Sequence, residues 1–191
     1  MKKINFNDRY GLTDAVIEGR KIMTRRLIPD EFFGLTWDTR GNTLVYENEY
    51  GDFIDVRHSK YTRYKLGEVV AVSQCYNDVV QEFTDLAFVP GSTNKMFVRA
   101  DLMPHQIRIT GIKCEQLQSI SHDDCFREGI IESWYESTDT TTYGFVDEKK
   151  GTAVEFDTPR KAFAALIDKV SGRGTWDRNP WVVVYEFELV K

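Results

Sequence analysis

The clearest patterns of apolar and polar positions lie near the C-terminus. From Trp181 to Leu189, apolar residues first run continuously and then alternate with polar ones. Such a run predicts a strand that is central in a sheet at one end and half-exposed at the other. Before it, apolar residues recur at Phe163 and three, four and seven positions later, which is helical spacing. Thr158 as N-cap, Pro159 in the first turn and Gly172 after the last turn bound this predicted helix.

Weaker patterns predict two more helices. Apolar side chains repeat at helical spacing from Leu12 to Val16, and Gly19 suits the left-handed backbone that ends a helix. Ser121 is a typical N-cap, because an aspartate follows three positions later and completes the capping pattern. The helix that begins there is expected to have Glu128 in its final turn.

Short strands account for most of the remaining pattern. They are predicted at 35–38, 43–47, 53–57, 68–72, 96–99 and 106–117. Glycine-containing turns separate the first three, which form a predicted meander inserted into a larger sheet. In the last strand the apolar positions change parity around Gly111, and a β-bulge there would produce that change.

Together these elements predict an α+β protein that is mostly β, with three short helices flanking the strands. The 191 residues suit a single domain, 1–191, with insertions at 30–60, 77–95 and 131–157. The second insertion is expected to be an irregular loop. Within the third, residues 132–156 are rich in threonine, glutamate and aspartate, and we expect this segment to be mobile.

Composition places the chain among ordinary globular proteins. Of its residues, 41% are hydrophobic and 29% are charged, and no apolar run approaches the length of a membrane span. The first four residues lack the apolar stretch of a signal peptide. We therefore expect a cytoplasmic protein that does not enter a membrane.

Cysteine and histidine are too few and too scattered for a metal site. Cys75, Cys114 and Cys125 show no Cys-x-x-Cys spacing, which argues against a disulfide framework and against structural zinc. His122 and Cys125 could share a helix face, but two ligands fall short of a metal site. We expect neither a metal nor another cofactor, and the oligomeric state is left open.

The strongest candidate chemistry lies in the run from Gly19 to Arg26, which combines four cations with one hydroxyl. Arg20 is explained by the negative end of the preceding helix dipole. Lys21 and Thr24 indicate more, because a lysine that loses its proton beside a hydroxyl is a minimal base and nucleophile for acyl transfer.

Glu128 is a second, weaker pointer to function. A carboxylate in the last turn of a helix opposes the helix dipole, at a cost of about 0.3–1 kcal/mol when exposed. Such local conflicts are tolerated at functional sites. The alternative is a surface glutamate that pairs with Arg127 or with a remote lysine.

Charge is unevenly distributed along the chain. The net charge of −5 argues against a general affinity for nucleic acid, but the N-terminal third is locally basic. Cations track phosphates and aromatic rings stack on bases, so two clusters are candidate contacts for single-stranded or splayed-out RNA. Besides Lys21, the first cluster comprises Arg20, Arg25 and Arg26. The second, called the 57–65 cluster below, comprises Arg57, Lys60, Tyr61, Arg63, Tyr64 and Lys65. For the second, a solvated surface is the alternative.

Several motifs in a fixed order resemble the ASCH domain family. Residues 19–26 are similar to its Gly-x-Lys-x-x-x-Arg signature, and residues 64–72 to its Gly-Asp/Glu-apolar strand. Further similarities lie at 108–110, 116–120, 125–130 and 179–187. They span nearly the whole chain and most resemble the longer, prophage-associated branch of the family. One departure is Ser-Gln-Cys-Tyr at 73–76, where longer relatives often carry Trp-Arg-Glu-Thr.

The resemblance implies a PUA-like β-barrel, a fold associated with binding RNA and modified bases. One small family member is an amidohydrolase that removes the acetyl group from acetylcytidine nucleosides with a lysine, a threonine and a glutamate. Lys21, Thr24 and Glu128 match those residue types.

Two functions from different classes follow as expectations. The first is binding of RNA or of a modified nucleoside in the barrel cleft. The second is hydrolysis of an acylated nucleoside, in which Lys21 deprotonates Thr24 and Glu128 positions the substrate or shuttles the proton. A scaffold for protein interactions is a third alternative.

Overall fold

The computed structural model describes residues 1–29, 34–59, 62–79 and 89–190. Its strands are β1 Lys3–Ile4, β2 Met23–Leu27, β3 Thr36–Asp38, β4 Thr43–Glu47, β5 Phe53–Asp55, β6 Val69–Val72, β7 Gln106–Gln116, β8 Ile131–Tyr135, β9 Thr140–Asp147, β10 Thr152–Phe156 and β11 Trp181–Leu189. Its α-helices are α1 Leu12–Ile17, α2 Tyr76–Val79, α3 His122–Arg127, α4 Pro159–Ser171 and α5 Thr175–Arg178. The predicted α+β class, mostly β, is confirmed.

Five strands form the central sheet, in the order β1-β6-β7-β11-β2. β1 runs parallel to β6, and the other neighbours are antiparallel. The predicted strand Trp181–Leu189 is confirmed as β11, which lies between β7 and β2 and buries Val182, Val183 and Val184. Within the described ranges this sheet ends in the edge strands β1 and β2, and none of the sheets closes into a barrel.

The predicted β-bulge at Gly111 is confirmed. Glu186 in β11 lies opposite Gly111, whereas the next residue, Phe187, lies opposite Ile109. Thr110 is therefore the additional residue in β7. A Cβ atom at position 111 would lie 3.1 Å from a Glu186 carboxylate oxygen, so glycine gives the bulge the room it needs.

Two three-stranded antiparallel sheets accompany the central one. The predicted meander is confirmed as β3-β4-β5, but the expectation that it is inserted into a larger sheet is wrong, because these strands form a sheet of their own. β10-β9-β8 occupies the third predicted insertion, so this segment consists of paired strands. β9 buries Phe145, whose ring contacts Tyr10 edge-on at 5.6 Å. Acidic residues such as Glu132 and Glu155 lie on exposed strand positions.

The predicted strand at 96–99 is wrong. Lys95–Phe97 instead forms a 3₁₀ turn. The Asn94 side chain accepts a hydrogen bond from the Met96 backbone N–H at 3.0 Å and so stabilises the turn at the expense of extended backbone.

Parts of the predicted insertions, 30–33, 60 and 80–88, lie outside the described residues. In the second insertion, α2 shows that its beginning is helical and not irregular. The expectation of three short helices is also corrected, because the described residues form five and α4 is 13 residues long.

The three predicted helices α1, α3 and α4 are confirmed. Ser121 accepts a hydrogen bond from the N–H three positions later at the N-cap of α3, and Thr158 does the same at the N-cap of α4. Gly19 follows α1 with a φ of 73°, in the left-handed region. α4 buries Phe163 and Leu166 in the core cluster that the central sheet also lines.

Candidate functional site

Lys21, Thr24 and Glu128 line one cavity of about 370 Å³. Lys21 lies between α1 and β2, Thr24 lies in β2, and Glu128 is the C-cap residue of α3. All three residues are buried. Elements distant in the sequence therefore bring the candidate base, nucleophile and carboxylate to one place.

The backbone before β2 explains how Lys21 and Thr24 reach a common cavity. In one regular strand, side chains three positions apart point to opposite faces. β2 begins two residues after Lys21, and the Lys21 N–H donates to the Ala15 carbonyl of α1 at 2.8 Å. The Ile22 N–H then donates to the Arg127 carbonyl of α3 at 3.0 Å. These bonds hold Lys21 at the ends of two helices and outside the strand.

Gly129 ends α3 and places Glu128 against Lys21. Its φ of 104° lies in the region that favours glycine. Its N–H and that of the next residue make the two hydrogen bonds of a Schellman C-cap. A Cβ atom at position 129 would lie 3.2 Å from Leu12 and 3.7 Å from a side-chain carbon of Lys21. Glycine therefore permits the close approach of α3 to the chain around Lys21.

Lys21 and Glu128 form a buried ion pair. Lys21 Nζ donates to Glu128 Oε2 at 2.6 Å and to the Glu128 backbone carbonyl at 2.8 Å. The two side chains are only 2% and 5% exposed. Burial lowers the pKa of Lys21 and is the largest effect; Glu128 opposes it, while the charges of Arg26 and Arg25 lower it further. A lysine in this environment is suited to lose its proton during a reaction.

Arg25 holds the other oxygen of Glu128. Its Nη1 donates to Glu128 Oε1 at 3.0 Å. Nε and Nη2 donate to Glu115 Oε1 at 2.9 and 2.6 Å, and Nη2 also donates to Asp124 Oδ2 at 2.9 Å. The Arg25 side chain is fully buried. Arg25 therefore does not lie on an exposed nucleic-acid surface, contrary to expectation, and positions Glu128 instead.

Two buried polar atoms at the cavity lack a hydrogen-bond partner among the described residues, Asn5 Oδ1 and Arg26 Nε. Both residues line the cavity. Arg26 Nη2 donates to the Asn5 backbone carbonyl at 2.7 Å, and the guanidinium carbon lies 5.7 Å from the centre of the Phe6 ring. Burial lowers the pKa of Arg26, and no salt bridge joins it to a carboxylate in the described part of the chain.

Sequence reasoning missed most of the remaining cavity wall. Asn5 and Phe6 follow β1, and Leu166 and Ile167 come from α4. The periodicity of α4 marks its apolar face as core without showing that part of that face borders a cavity. For Asn5 the only signal is a polar residue between two apolar ones, which is common in strands.

Tyr64 does not belong to an exposed nucleic-acid surface either. It is buried, and its hydroxyl donates to the Lys3 backbone carbonyl at 3.0 Å. Its ring contacts Tyr185 edge-on, with the centroids 5.2 Å apart. Tyr64 is thus a core residue, and its ring is not available to stack on a base.

The cations of the 57–65 cluster are in different environments. Arg57 pairs with Asp55, with Nη2 2.6 Å from Oδ2. Arg63 and Lys65 are exposed. The cluster therefore offers fewer free groups than its sequence suggests. Two further residues assigned to it, Lys60 and Tyr61, lie outside the described residues.

Arg20 is exposed next to the end of α1. Its Nε donates to the carboxylate of Glu18, the C-cap residue, at 2.7 Å. This placement agrees with the interpretation of Arg20 as a cation near the negative end of a helix dipole. It lies outside the set of residues that line the cavity.

Comparison with known proteins identifies no relative. The chain matches no protein-family model, no curated protein and no solved structure. Within the described ranges, no group of three or more histidine, cysteine or acidic side chains is arranged to hold a metal ion. No helix in that part of the chain is long and apolar enough to cross a membrane.

Proposed function

We propose that this protein binds an acylated nucleoside in the cavity and hydrolyses its amide bond. The observation that carries the proposal is the meeting of Lys21, Thr24 and Glu128 at one cavity. A hydroxyl near a buried lysine is a base and nucleophile pair for acyl transfer. Thr24 is the nucleophile, Lys21 is the general base, and Glu128 orients Lys21 through the 2.6 Å hydrogen bond.

The cavity suits a small ligand that is partly apolar. Its volume of about 370 Å³ lies near the lower end of the usual range for ligand pockets, about 300–1,000 Å³. Leu166 and Ile167 supply apolar surface, whereas Asn5 and Arg26 supply polar groups. The base of a nucleoside has the matching character, because its flat ring has apolar faces and carries hydrogen-bonding atoms only along its edge.

In the first half-reaction, Lys21 reacts in its neutral form, after its ammonium has lost a proton to solvent, and accepts the hydroxyl proton of Thr24. The Thr24 oxygen forms a bond to the amide carbonyl carbon, and the amide C–N bond then breaks. The departing nucleobase amine takes the proton from Lys21. Glu128 accepts a hydrogen bond from Lys21 and stabilises the ammonium that exists between these two transfers. The products are the free nucleoside and an acyl ester of Thr24.

In the second half-reaction, water attacks the ester carbonyl. Lys21 accepts a proton from that water and returns it to the Thr24 oxygen as the ester bond breaks. The acyl group leaves as a carboxylic acid, which ionises in solvent. Thr24 recovers its hydroxyl and Lys21 its neutral form, so the site is ready for another substrate.

The resemblance to the ASCH domain family supports the same proposal. The lysine, threonine and glutamate types that the family uses correspond to the three residues at the cavity. On these grounds we also propose that the chain belongs to this family, with the five-stranded sheet as the counterpart of the PUA-like core. In the described residues that sheet is open, so the correspondence concerns strand arrangement and not a closed barrel.

Wild-type protein is expected to release cytidine and acetate from cytidine acetylated on its exocyclic amine, at a rate that rises with pH. Only neutral lysine accepts the Thr24 proton, and burial lowers the pKa of Lys21. The logarithm of kcat/KM, plotted against pH, should rise with a slope near one. It should level off at a pH below about 10.4, the ordinary pKa of lysine. Chromatographic separation of cytidine from acetylcytidine measures the rate.

Lys21→Arg is the matched control, because arginine keeps the positive charge but does not lose its proton. We expect this variant to bind acetylcytidine and to hydrolyse none of it at any pH. Wild-type turnover by the variant would exclude Lys21 as the base. A lack of turnover by the wild-type protein would contradict the proposed hydrolysis.

A second candidate function is binding of single-stranded RNA by the 57–65 cluster, favoured by the exposure of Arg63 and Lys65. If both side chains contact phosphates, replacing both by alanine should flatten the plot of log affinity against log salt. The expected change is roughly 1.4, which is about 0.7 for each contact with a single strand. Fluorescence anisotropy with a labelled oligonucleotide, repeated over a salt series, measures the slope.

Replacing Lys149 and Lys150 by alanine removes the same charge from another exposed segment. This control is expected to keep the wild-type slope. If the Arg63 and Lys65 double variant also keeps it, the cluster is a solvated surface.

A further inference from the structure

Asn5 and Arg26 present a hydrogen-bonding pattern that the described protein does not satisfy. Asn5 Oδ1 is an acceptor, Arg26 Nε carries a donor hydrogen, and both atoms are buried without a partner among the described residues. Buried polar groups in folded proteins are nearly always hydrogen-bonded. Two exceptions at residues that line the same cavity point to a ligand that supplies both missing partners.

The two residues are held side by side. Arg26 Nη2 donates to the Asn5 backbone carbonyl at 2.7 Å, which places the guanidinium against Asn5. Asn5 Nδ2 is already used, because it donates to Met96 Sδ at 2.9 Å. Asn5 Oδ1 and Arg26 Nε are therefore a buried acceptor and a buried donor without protein partners in the described chain, on two residues that contact each other and line the cavity.

This pair also lies on the nucleophile's side of the cavity. Thr24 and Arg26 are two positions apart in β2, so their side chains leave the same face of the strand. A ligand that contacts Arg26 is thus held beside the Thr24 hydroxyl. The described residues provide no carboxylate salt bridge to Arg26, which leaves its charge available to an electron-rich acceptor on the ligand.

We propose that Asn5 and Arg26 select the substrate by its edge: an N–H that donates to Asn5 Oδ1, next to a ring nitrogen that accepts from Arg26 Nε. This inference rests on the proposed function and adds the determinants of specificity. An acylated exocyclic amine on a pyrimidine has this edge. A simple alkyl amide does not, because the N–H and C=O of a trans amide point in opposite directions.

Calorimetric titration in a Thr24→Ala background, which removes turnover, tests the pair. The probes are acetylcytidine and its 3-deaza analogue, in which C–H replaces the ring nitrogen beside the amide. The background protein is expected to bind acetylcytidine about 10- to 100-fold more tightly than the analogue, and addition of Arg26→Met is expected to abolish that preference. If this variant does not fold, Arg26→Lys serves, because it keeps the charge but lacks Nε.

Asn5→Ala removes Oδ1 but keeps the backbone carbonyl that binds Arg26. It should weaken acetylcytidine binding by about 3- to 10-fold. Asn48→Ala is the matched control, because Asn48 does not line the cavity and its Oδ1 accepts the Tyr50 N–H at 2.9 Å. We expect this control to change the affinity by less than about 2-fold.

Equal affinity for the two probes, or no binding of either, would overturn the proposed selection. Unchanged affinity for acetylcytidine in both Asn5→Ala and Arg26→Met would also overturn the proposed selection. Asn5 Oδ1 and Arg26 Nε would then bond to solvent and not to the ligand. Turnover of acetylcytidine by the wild-type protein without a preference between the probes overturns the selection and leaves the proposed hydrolysis intact. A preference for acetylcytidine over its analogue, without turnover by the wild-type protein, supports the selection and overturns the proposed hydrolysis.

Discussion

Thr24→Ala is expected to lower kcat for acetylcytidine by about 10⁴-fold or more, because it removes the oxygen that attacks the carbonyl. Binding should persist, since the proposed contacts with the nucleobase come from Asn5 and Arg26. The change removes few atoms, so the fold should also persist. Release of cytidine measures kcat, titration calorimetry measures Kd, and thermal unfolding checks the fold.

Thr13→Ala is the control for loss of a buried threonine hydroxyl. Thr13 and Thr24 are both 5% exposed, but the Thr13 hydroxyl donates to Asp8 at 2.5 Å and Thr13 does not line the cavity. This variant is expected to keep its activity. Thr24→Ser keeps a hydroxyl and should retain part of the wild-type activity. Unchanged turnover by Thr24→Ala would exclude the threonine nucleophile.

Glu128→Ala is expected to lower the free energy of unfolding by about 3–5 kcal/mol, because it leaves buried cations without their shared partner. Lys21 loses its only carboxylate at hydrogen-bond distance in the described chain, and Arg25 loses one of three. Denaturation by urea at neutral pH measures the change.

A double variant separates pairing from simple loss of contacts. Adding Lys21→Met to Glu128→Ala removes the unpaired ammonium, and we expect it to restore part of the lost stability. Glu188→Ala is the surface control, because Glu188 and Arg108 are 54% and 50% exposed and 3.4 Å apart. It should change stability by less than about 1 kcal/mol. An equally small loss for Glu128→Ala would mean that the cavity pair is effectively solvated.

Local sequence was sufficient to predict the main elements around the site. Thr158 and Pro159 act on backbone groups within one turn, and the start of α4 follows from them. The alternation along Trp181–Leu189 and the parity change at Gly111 likewise reflect positions that neighbour each other in the chain. The prediction at 96–99 failed because one local contact, the Asn94 side chain to the backbone, outweighed strand propensity.

The sequence by itself also determined the residue types at the cavity and the conflict at Glu128, a carboxylate at the end of a helix. It did not show which groups compensate that carboxylate. Lys21 lies 107 positions from Glu128 and Arg25 lies 103 positions away, and both compensate its charge. The sequence likewise showed the charge of Arg25 but not its burial next to Glu115 and Asp124. Side-chain chemistry and helix ends are local properties, whereas burial and ion pairing depend on which distant segments pack together, and only the tertiary structure decides that.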